Sequence, residues 1–517
     1  MSRRAVASPH RLSAAAGRRV LEAGGNAVDA ALAIVAAQGV VAPETCGLGG
    51  DLFALIHAPG WDKPLALNSS GRAGSNADGS GLAAQGLRDI PADHPLAVTV
   101  PGCVDGLVTL SNELGSLPLG EVLAPAIELA RYGFPASTEM SQAFTARERW
   151  YRDNPAAAPF YPNGRPVEPG ELVIRPELAA TLEALAETGD RDTFYLGAPG
   201  EDIVEALGGT ITMADLEVNQ AEWVDPVPVE VFGLTAWAIP PNSQGYLGPA
   251  TLAVFEMLDP PDDPNDPRWW HLLIEAYRCL AWERDDVVTD PGTAPLRPDL
   301  LVSPERLRRW AETIGETAGV WPDTPHRVSG TAYMCAADAD GLGVSIIQSN
   351  YHGIGSPFGT ARSGFILHDR GRGFTLTSGH PNQVLPGKRP MHTLSPTLWT
   401  RGDRPAWLIG TRGGDIQPQL VAQLAARIIG CGIDPAEAQA MPRWSTDDFG
   451  PGTGSTIKVE PDTPAAVVED LRRRGHDITV VDGPQGGWGP MSVIGLDGDG
   501  RVAAADPRVD TTEAIVF

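Results

Sequence analysis

Two short apolar segments lie close together after residue 330, and a polar turn separates them. Residues 331–337 contain neither Gly nor Pro and predict a strand, and residues 344–349 predict a second one. Residues 338–341, Asp-Ala-Asp-Gly, are typical of a tight turn. The pattern therefore predicts a hairpin that places Thr331 opposite residue 348, 349 or 350.

Helical patterns dominate the first part of the chain, whereas the part after residue 331 is largely β. Asn26 is predicted to cap a helix, with Asp29 reaching back to it. Residues 74–95 are polar and rich in Gly and Ala, which predicts a mobile loop. Other helices are expected at residues 12–23, 119–132, 176–187, 203–206, 270–282, 419–429 and 465–474, and other strands at 52–57, 65–68 and in a closing hairpin at 491–505 with its turn at 497–500.

Composition restricts the size and the partners of the protein. The 517 residues are 42% hydrophobic, enough for a sizeable core in one large α/β body or in two to four domains. The formal net charge is −26. Such a chain repels nucleic acid and anionic membranes, so we expect neither as a partner.

The cysteines and the first residues of the chain give information on the cellular compartment and on metal binding. Five scattered cysteines form no C-x-x-C pair, so the sequence suggests neither a disulfide scaffold nor a zinc site. The first ten residues lack the apolar core of a secretion signal, and no apolar stretch is long enough to span a bilayer. We therefore expect a cytoplasmic protein. The histidines at 352, 368, 380 and 392 lack ligand spacing, so neither a metal nor a cofactor is expected.

Thr331 directly follows Gly330, and this pair suggests chemistry. A threonine hydroxyl is a weak nucleophile until a base lies beside it, and the free amine of an N-terminal threonine can be that base. Such an amine exists only if the Gly330–Thr331 bond is cut. Gln348, Ser349 and Asn350 could each hold the hydroxyl or the amine. Taken alone, the segment favours the alternative, an ordinary hairpin with a threonine at one strand end.

A series of further motifs resembles the gamma-glutamyltransferase family of N-terminal nucleophile hydrolases. The resemblance extends from about Ala7 to Arg508, and it lies nearest to the divergent branch with oxamate amidohydrolase-like and acylase-like members. The motifs, in family order, are Gly24-Gly25-Asn26-Ala27-Val28-Asp29-Ala30, Gly47-Leu48-Gly49-Gly50, Val100-Pro101-Gly102, the helix at 270–286 with its Glu-Ala and Glu-Arg-Asp, Gly330-Thr331, Ser395-Pro396-Thr397, Gly413-Gly414 and Asp506-Pro507-Arg508.

The resemblance implies a fold and a set of roles. The fold is an α/β four-layer αββα sandwich, in which a proenzyme cuts itself into residues 1–330 and 331–517 that stay in one globular body. Thr331 would be the nucleophile and its amine the base, while Ser349 would hydrogen-bond the nucleophile. Gly413 and Gly414 would donate backbone N–H groups to an oxyanion hole.

The chain departs from the family at the expected substrate contacts. A serine stands where glutathione-cleaving members have an arginine, and Arg72, two residues further on, could present a cation from the same strand face. Glycine 373 takes the place of the acidic anchor for the substrate amino group. It lies in an arginine-rich loop with Arg370, which would attract an anion.

Four further substrate contacts are expected. Asn350 follows Ser349, and Tyr351 replaces a family asparagine. His392 and Thr393 stand where a serine pair lines the acyl pocket. Loss of the amino anchor with a cation retained suits a small acidic amide.

The sequence thus predicts a self-processing amidohydrolase or acyltransferase that cleaves a gamma-glutamyl or similar acidic amide through a threonyl acyl-enzyme. One alternative is an oxamate amidohydrolase-like or acylase-type amidase that does not act on glutathione. The other is a non-catalytic homologue that binds a small acid, because Ala332 replaces the usual second hydroxyl. The expected partners are the small substrate and the two chains for each other, with a homodimer left open.

Overall fold

The strands and helices are given by a computed structural model that describes residues 3–321, 330–446, 456–497 and 500–517. The predicted turn at 497–500 therefore lies partly outside the described residues. The strands are Ala5–Ser8 (β1), Asp51–His57 (β2), Leu65–Ser69 (β3), Phe134–Pro135 (β4), Leu172–Val173 (β5), Glu222–Val224 (β6), Val227–Val231 (β7), Leu234–Ala238 (β8), Gly330–Ala337 (β9), Gly343–Tyr351 (β10), Gly359–Thr360 (β11), Phe365–Ile366 (β12), Thr397–Arg401 (β13), Arg404–Thr411 (β14), Trp444–Ser445 (β15), Thr456–Val459 (β16), Asp477–Val480 (β17), Met491–Gly495 (β18), Val502–Ala505 (β19) and Glu513–Val516 (β20).

The α-helices alternate with these strands, and most of them precede β9. They are Arg11–Glu22 (α1), Ala27–Val41 (α2), Ser80–Ala84 (α3), Cys103–Leu114 (α4), Leu119–Tyr132 (α5), Thr138–Ala146 (α6), Glu148–Tyr151 (α7), Pro176–Thr188 (α8), Asp192–Tyr195 (α9), Ala198–Ala206 (α10), Met213–Glu217 (α11), Leu247–Met257 (α12), Pro267–Ala281 (α13), Arg284–Val287 (α14), Pro298–Leu301 (α15), Pro304–Ala311 (α16), Gln417–Ala425 (α17), Pro435–Ala440 (α18) and Ala465–Arg473 (α19).

Two large sheets face each other at the centre of the molecule. The first has the order β20-β1-β9-β10-β2-β3-β6 and the second the order β19-β18-β14-β13-β8-β7. Strands β14 and β18 contact β9 across the gap between the sheets. Both sheets mix strands from before and after residue 330, so the two segments share each sheet.

Helices cover the outer face of each sheet, which completes the four layers. Helix α2 packs on β9 and β10, and α4 packs on β2 and β3. On the other side α12 packs on β7 and β8, and α17 packs on β14. Buried apolar residues fill three successive spaces, one between the sheets and one under each helical layer. The predicted αββα sandwich is confirmed.

Local signals placed many elements correctly. Asn26 caps α2 as predicted: its side chain accepts from the N–H groups of Val28 and Asp29, and Asp29 accepts from the Asn26 N–H at 2.9 Å. Strands β9 and β10 and helix α5 also lie where expected.

The segment at 74–95, predicted to be a mobile loop, consists mostly of loop and turn but also contains a short helix and buried apolar residues. Helix α3 forms there, and Leu82 and Ile90 are buried against Phe374 and Leu376. The apolar residues of this segment are too sparse to show periodicity, and their partners lie nearly 300 positions away. Helix α4 was also missed.

Gly410, near the end of β14, is a packing constraint between the sheets. A Cβ there would stand 2.3 Å from the Tyr333 ring of β9. The small residue thus lets β14 approach the strand that carries Thr331.

We predict that Gly410→Ala lowers the free energy of unfolding by about 2 kcal/mol, because Tyr333 must move in a filled core. Gly81→Ala is the matched control, since a Cβ there meets nothing within 4 Å and the residue lies in a helix. Urea unfolding of both variants measures the difference. An unchanged midpoint for Gly410→Ala would show that the sheets are not held this closely.

Candidate active site

The hairpin of β9 and β10 brings Thr331 against Ser349 through a β-bulge. Ala332 pairs with Gln348 and Gly330 pairs with Tyr351, so two residues of β10 face Thr331. The Thr331 and Ser349 Oγ atoms lie 3.1 Å apart. The prediction that Thr331 lies opposite residues 348–350 is confirmed. Tyr351 has a φ of 74°, a conformation that costs a non-glycine residue about 1–3 kcal/mol.

The Gly330 carbonyl oxygen accepts hydrogen bonds from two hydroxyl groups. Thr331 Oγ lies 2.7 Å and Ser349 Oγ 2.8 Å from its oxygen. Ser349 Oγ in turn accepts a hydrogen bond from the Tyr351 N–H at 2.8 Å. The bulge therefore fixes the Ser349 hydroxyl, and this hydroxyl polarises the carbonyl that precedes Thr331.

Asp51 lies directly beside this pair, since it is the partner of Ser349 across β2 and β10. Alternation along the strands points Thr331, Ser349 and Asp51 toward the second sheet. The Asp51 carboxylate is fully buried and accepts from the N–H groups of Gly71 at 3.0 Å and Gly102 at 3.2 Å. A negative charge is thus held on β2, the strand next to the one that carries Ser349.

Two histidines contact the same carboxylate. His392 Nε2 lies 3.0 Å and His368 Nδ1 lies 3.4 Å from Asp51 Oδ2. Burial works to raise the pKa of Asp51, but the two rings outweigh it and hold that pKa well below its usual range. Burial and the nearby Arg370 lower the pKa of His392 to about 3, so His392 is neutral and donates to Asp51 through Nε2.

Arg370 and Tyr351 form a second part of the site. The Arg370 guanidinium lies over the Tyr351 ring, 3.5 Å from its centroid, and donates to Thr393 Oγ1 at 3.1 Å. Arg370 is 1% exposed, and its Nη1 has no hydrogen-bond partner among the described residues.

A clamp formed by Gln244 and Arg284 holds the loop with Gly413 and Gly414. Gln244 Nε2 donates to the carbonyls of Gly414 at 3.1 Å and Thr393 at 3.3 Å. Arg284 donates to Gln244 at 3.3 Å. Gly413 and Gly414 have φ values of 131° and 61°, which glycine adopts readily. The clamp ties the glycine pair to Thr393 and thereby to Arg370.

A cavity of about 340 Å³ adjoins Tyr351 and residues 372–375. Thr331 itself is fully buried in this uncut chain. The lining is strongly charged and consists of Arg88, Asp89, Arg284, Asp285, Tyr351, Arg372, Gly373, Phe374, Thr375, Thr377, His380, Asn382, Met391 and Asp415.

Two predicted substrate contacts have partners of their own. Arg72 pairs with Glu222 and also donates to Gln220 at 3.2 Å. The Asn350 amide donates to Ile354 within its own loop at 3.1 Å. The structure brings together Thr331, Ser349 and Tyr351, and joins Arg370 to Thr393, whereas Arg72 and Asn350 make these other contacts.

Sequence reasoning missed Asp51, Gln244 and Arg284. Asp51 offered a signal, because it is a charged residue between the Gly47–Gly50 cluster and a strongly apolar strand. The glycine cluster lets its own backbone approach the backbone of β10 closely, because a Cβ on Gly50 would stand 2.5 Å from the Ser349 carbonyl oxygen. Gln244 gave no sequence signal. Arg284 is the arginine of the Glu-Arg-Asp motif, but its contact with Gln244 joins distant parts of the chain and could not be inferred from that motif.

Comparison with known proteins agrees with this geometry. The family model described as gamma-glutamyltranspeptidase matches residues 13–516. A glutathione hydrolase-like YwrD proenzyme of Bacillus subtilis is 35% identical, covering 98% of this chain and 97% of its own. An oxamate amidohydrolase proenzyme of Klebsiella pneumoniae is 33% identical, covering 97% and 96%. The cephalosporin acylase structure from Bacillus halodurans superposes with a TM-score of 0.91 at 33% identity, over 100% of this chain and 96% of its own.

The chain belongs to the gamma-glutamyltranspeptidase family. The resemblance found in the sequence is thereby confirmed. Within the described part of this family member, no group of three or more His, Cys, Asp and Glu side chains could hold a metal ion. No helix among the described residues combines the length and the apolar character that a membrane crossing needs.

Glu44 is a buried acid beside the predicted cleavage point. Its carbonyl would lie 3.0 Å from a Cβ on Gly330. Its side-chain Oε2 has no hydrogen-bond partner among the described residues. Burial and the nearby Glu139 raise the pKa of Glu44 to about 8, so at neutral pH the folded protein keeps this group protonated.

We predict that Glu44→Gln removes a pH-dependent loss of stability. The folded pKa of about 8 exceeds the ordinary value of 4.5, so the unfolded chain releases this proton first. The wild-type free energy of unfolding should fall relative to the variant by about 1 kcal/mol per pH unit between pH 4.5 and 8. Urea unfolding at pH 5 and pH 8, in an uncut Thr331→Ala background, measures it. A difference in unfolding free energy that is the same at pH 5 and pH 8 would show that Glu44 ionises normally.

Proposed function

We propose that this chain is a self-processing threonine amidohydrolase whose nucleophile is Thr331. The observation that carries the proposal is the contact of the Thr331 and Ser349 hydroxyls with the Gly330 carbonyl, at 2.7 and 2.8 Å. An ordinary hairpin has no need to focus two hydroxyls on the carbonyl that precedes its strand. Membership in the gamma-glutamyltranspeptidase family supports the same chemistry.

Self-cleavage begins with attack of Thr331 Oγ on the Gly330 carbonyl carbon. Negative charge develops on the Gly330 oxygen, where the Ser349 hydroxyl already donates. The Gly330–Thr331 C–N bond breaks, the nitrogen takes up the proton that the Thr331 hydroxyl gives up, and an ester joins Gly330 to Thr331 Oγ. Water hydrolyses this ester, which leaves a carboxylate on Gly330 and a free amine on Thr331. The products are residues 1–330 and 331–517, held together by their shared sheets.

Turnover repeats the attack on an external amide. The Thr331 amine accepts the proton of its own hydroxyl as Oγ attacks the substrate carbonyl. The N–H groups of Gly413 and Gly414 would stabilise the oxyanion, and the clamp of Gln244 supports their loop. The tetrahedral intermediate expels the amine, which takes the proton, and an acyl-threonine ester remains. Water then releases the acid, or a second amine takes the acyl group.

The names of the relatives point to two classes of acyl group. One relative is named a glutathione hydrolase-like proenzyme and another an oxamate amidohydrolase proenzyme, so gamma-glutamyl amides and amides of other small acids are both candidates. Charged residues around the cavity suit a small polar substrate. The five free cysteines agree with a reducing compartment, which supports the expected cytoplasmic location.

Thr331→Ala is expected to remain a single chain of about 54.6 kDa on a denaturing gel, whereas wild type separates into two fragments. Thr331→Ser is the matched control, because it keeps the hydroxyl and should still cut. Mass spectrometry should place the new ends at Gly330 and Thr331. Cleavage of Thr331→Ala, or a permanently intact wild type, would contradict the proposal; the latter outcome would favour the non-catalytic alternative.

Ser349→Ala should slow self-cleavage by about 10²-fold, because it removes one donor to the developing oxyanion. Ser349→Thr keeps a hydroxyl and should retain most of the rate. A time course of freshly purified proenzyme on denaturing gels measures both. Processing of the alanine variant at the wild-type rate would remove Ser349 from the mechanism.

A further inference from the structure

A small cavity lies between β10 and α2, on the side of the first sheet that faces away from the second sheet. Its walls are mostly apolar groups of α2, α8 and β12, together with the side chains of Arg175, Gln348 and Asn350. All of the lining residues are buried. The cavity leaves about 10 Å³ for the centre of a water-sized sphere, which is the room that a single water molecule needs.

Three polar atoms of the lining residues have no hydrogen-bond partner among the residues that the structure describes. Arg175 Nε is a donor, whereas Gln348 Oε1 and Asn350 Oδ1 are acceptors. None of the three residues is more than 3% exposed. A polar atom that is buried in this way usually has a partner in the folded protein, because nothing else compensates for the loss of bulk water.

The orientation of both amide groups is fixed by the hydrogen bonds of their nitrogen atoms. Gln348 Nε2 donates to the Gly47 carbonyl at 2.9 Å, and Asn350 Nδ2 donates to the Ile354 carbonyl at 3.1 Å. Turning either amide over would place its oxygen against a carbonyl oxygen. The atoms without a partner on these two side chains are therefore the acceptors.

The Arg175 guanidinium is bonded to backbone carbonyls through its other two nitrogens. Nη1 donates to Gly39 at 2.8 Å and to Val40 at 2.9 Å, and Nη2 donates to Gly364 at 3.1 Å. Burial lowers the pKa of Arg175 to about 10, so the group is still charged at neutral pH. The cavity thus combines one charged donor with two neutral acceptors.

This combination of one donor and two acceptors selects the occupant. A halide ion could accept from Arg175, but it would lie against two amide oxygens that carry partial negative charge. A cation would suit the oxygens, but the guanidinium would repel it. A water molecule satisfies all three groups, because its oxygen accepts from Nε and its two O–H groups donate to Oε1 and Oδ1.

We infer that this cavity is the binding site of one structural water molecule, which joins Arg175 to the two residues that flank Ser349 on β10. Gln348 and Asn350 looked suitable in the sequence for holding the Thr331 hydroxyl. Alternation along the strand instead points Gln348 toward α2 and Ser349 toward the second sheet. The water site therefore supports β10 from behind, next to the bulge. It is independent of the proposed function, because it requires no chemistry at Thr331.

Crystal structures of the wild type and of the uncut Thr331→Ala chain, at a resolution that shows ordered water, test the site directly. We expect in both one well-ordered density peak within about 3.2 Å of Arg175 Nε, Gln348 Oε1 and Asn350 Oδ1. Absence of this peak, or a peak that contacts fewer than all three atoms, overturns the inference.

A bromide soak of the same crystals distinguishes water from an anion. Bromide occupies halide sites and is visible by its anomalous scattering, whereas water is not. We expect no anomalous peak in this cavity, because the two amide oxygens oppose an anion. An anomalous peak here would make Arg175 the centre of a halide site, and the water assignment would fail.

A variant then tests whether the amide of Gln348 holds the water. Gln348→Leu should abolish the density peak, because the water would lose one acceptor and face an apolar group. Gln439→Leu is the matched control, since Gln439 is also buried and bonded through Nε2, to the Ala504 carbonyl, and it does not line this cavity. A peak that persists unchanged in Gln348→Leu contradicts the inference. If Gln348→Leu does not fold, the wild-type density and the bromide soak still decide the question.

Discussion

The site depends on a single irregularity in one hairpin, the bulge that aligns Thr331 with Ser349. In a regular register, residues of β9 and β10 would pair one to one, and the Tyr351 N–H would be available for an inter-strand hydrogen bond. The bulge instead points this N–H at Ser349 Oγ, 2.8 Å away, and leaves the hydroxyl free to donate to Gly330. The positive φ of Tyr351 is the conformational cost of this arrangement, and the packing of Arg370 on the Tyr351 ring helps to offset it.

Buried charge is organised around this hairpin so that each group has a defined state. Asp51 stays ionised because two backbone N–H groups and two histidines surround it. His392 stays neutral, and Glu44 is protonated at neutral pH because burial and the nearby Glu139 raise its pKa to about 8. The positions next to Thr331 thus differ in charge although all are buried. Charged and polar groups fixed in this way are what pre-organised electrostatics requires.

Much of the fold and part of the site were predictable from local signals. The capping box at Asn26, the apolar strands and the Asp-Gly turn lie in contiguous residues, and these elements formed where expected. The hairpin also predicted the neighbour of Thr331, because a turn length fixes a register. The helix and the buried residues in segment 74–95 were not predicted, because this segment packs against Phe374 and Leu376, and no local pattern reveals such a distant contact. The contact of Gln244 with the Gly414 carbonyl was missed for the same reason, since it joins distant parts of the chain.

The arginines show why residue type alone is insufficient for assigning an anchor. Arg72 and Arg370 both looked suitable in the sequence, since each lies near a departure from the family pattern. In the structure Arg72 has Glu222 and Gln220 as partners, so its charge is already compensated. Arg370 is buried and lies over the Tyr351 ring, and its Nη1 has no hydrogen-bond partner among the residues that the structure describes. Burial makes an open donor costly, so the two arginines lie in energetically different environments. Residue type and position along the chain therefore do not separate the two arginines, whereas their burial and their partners do.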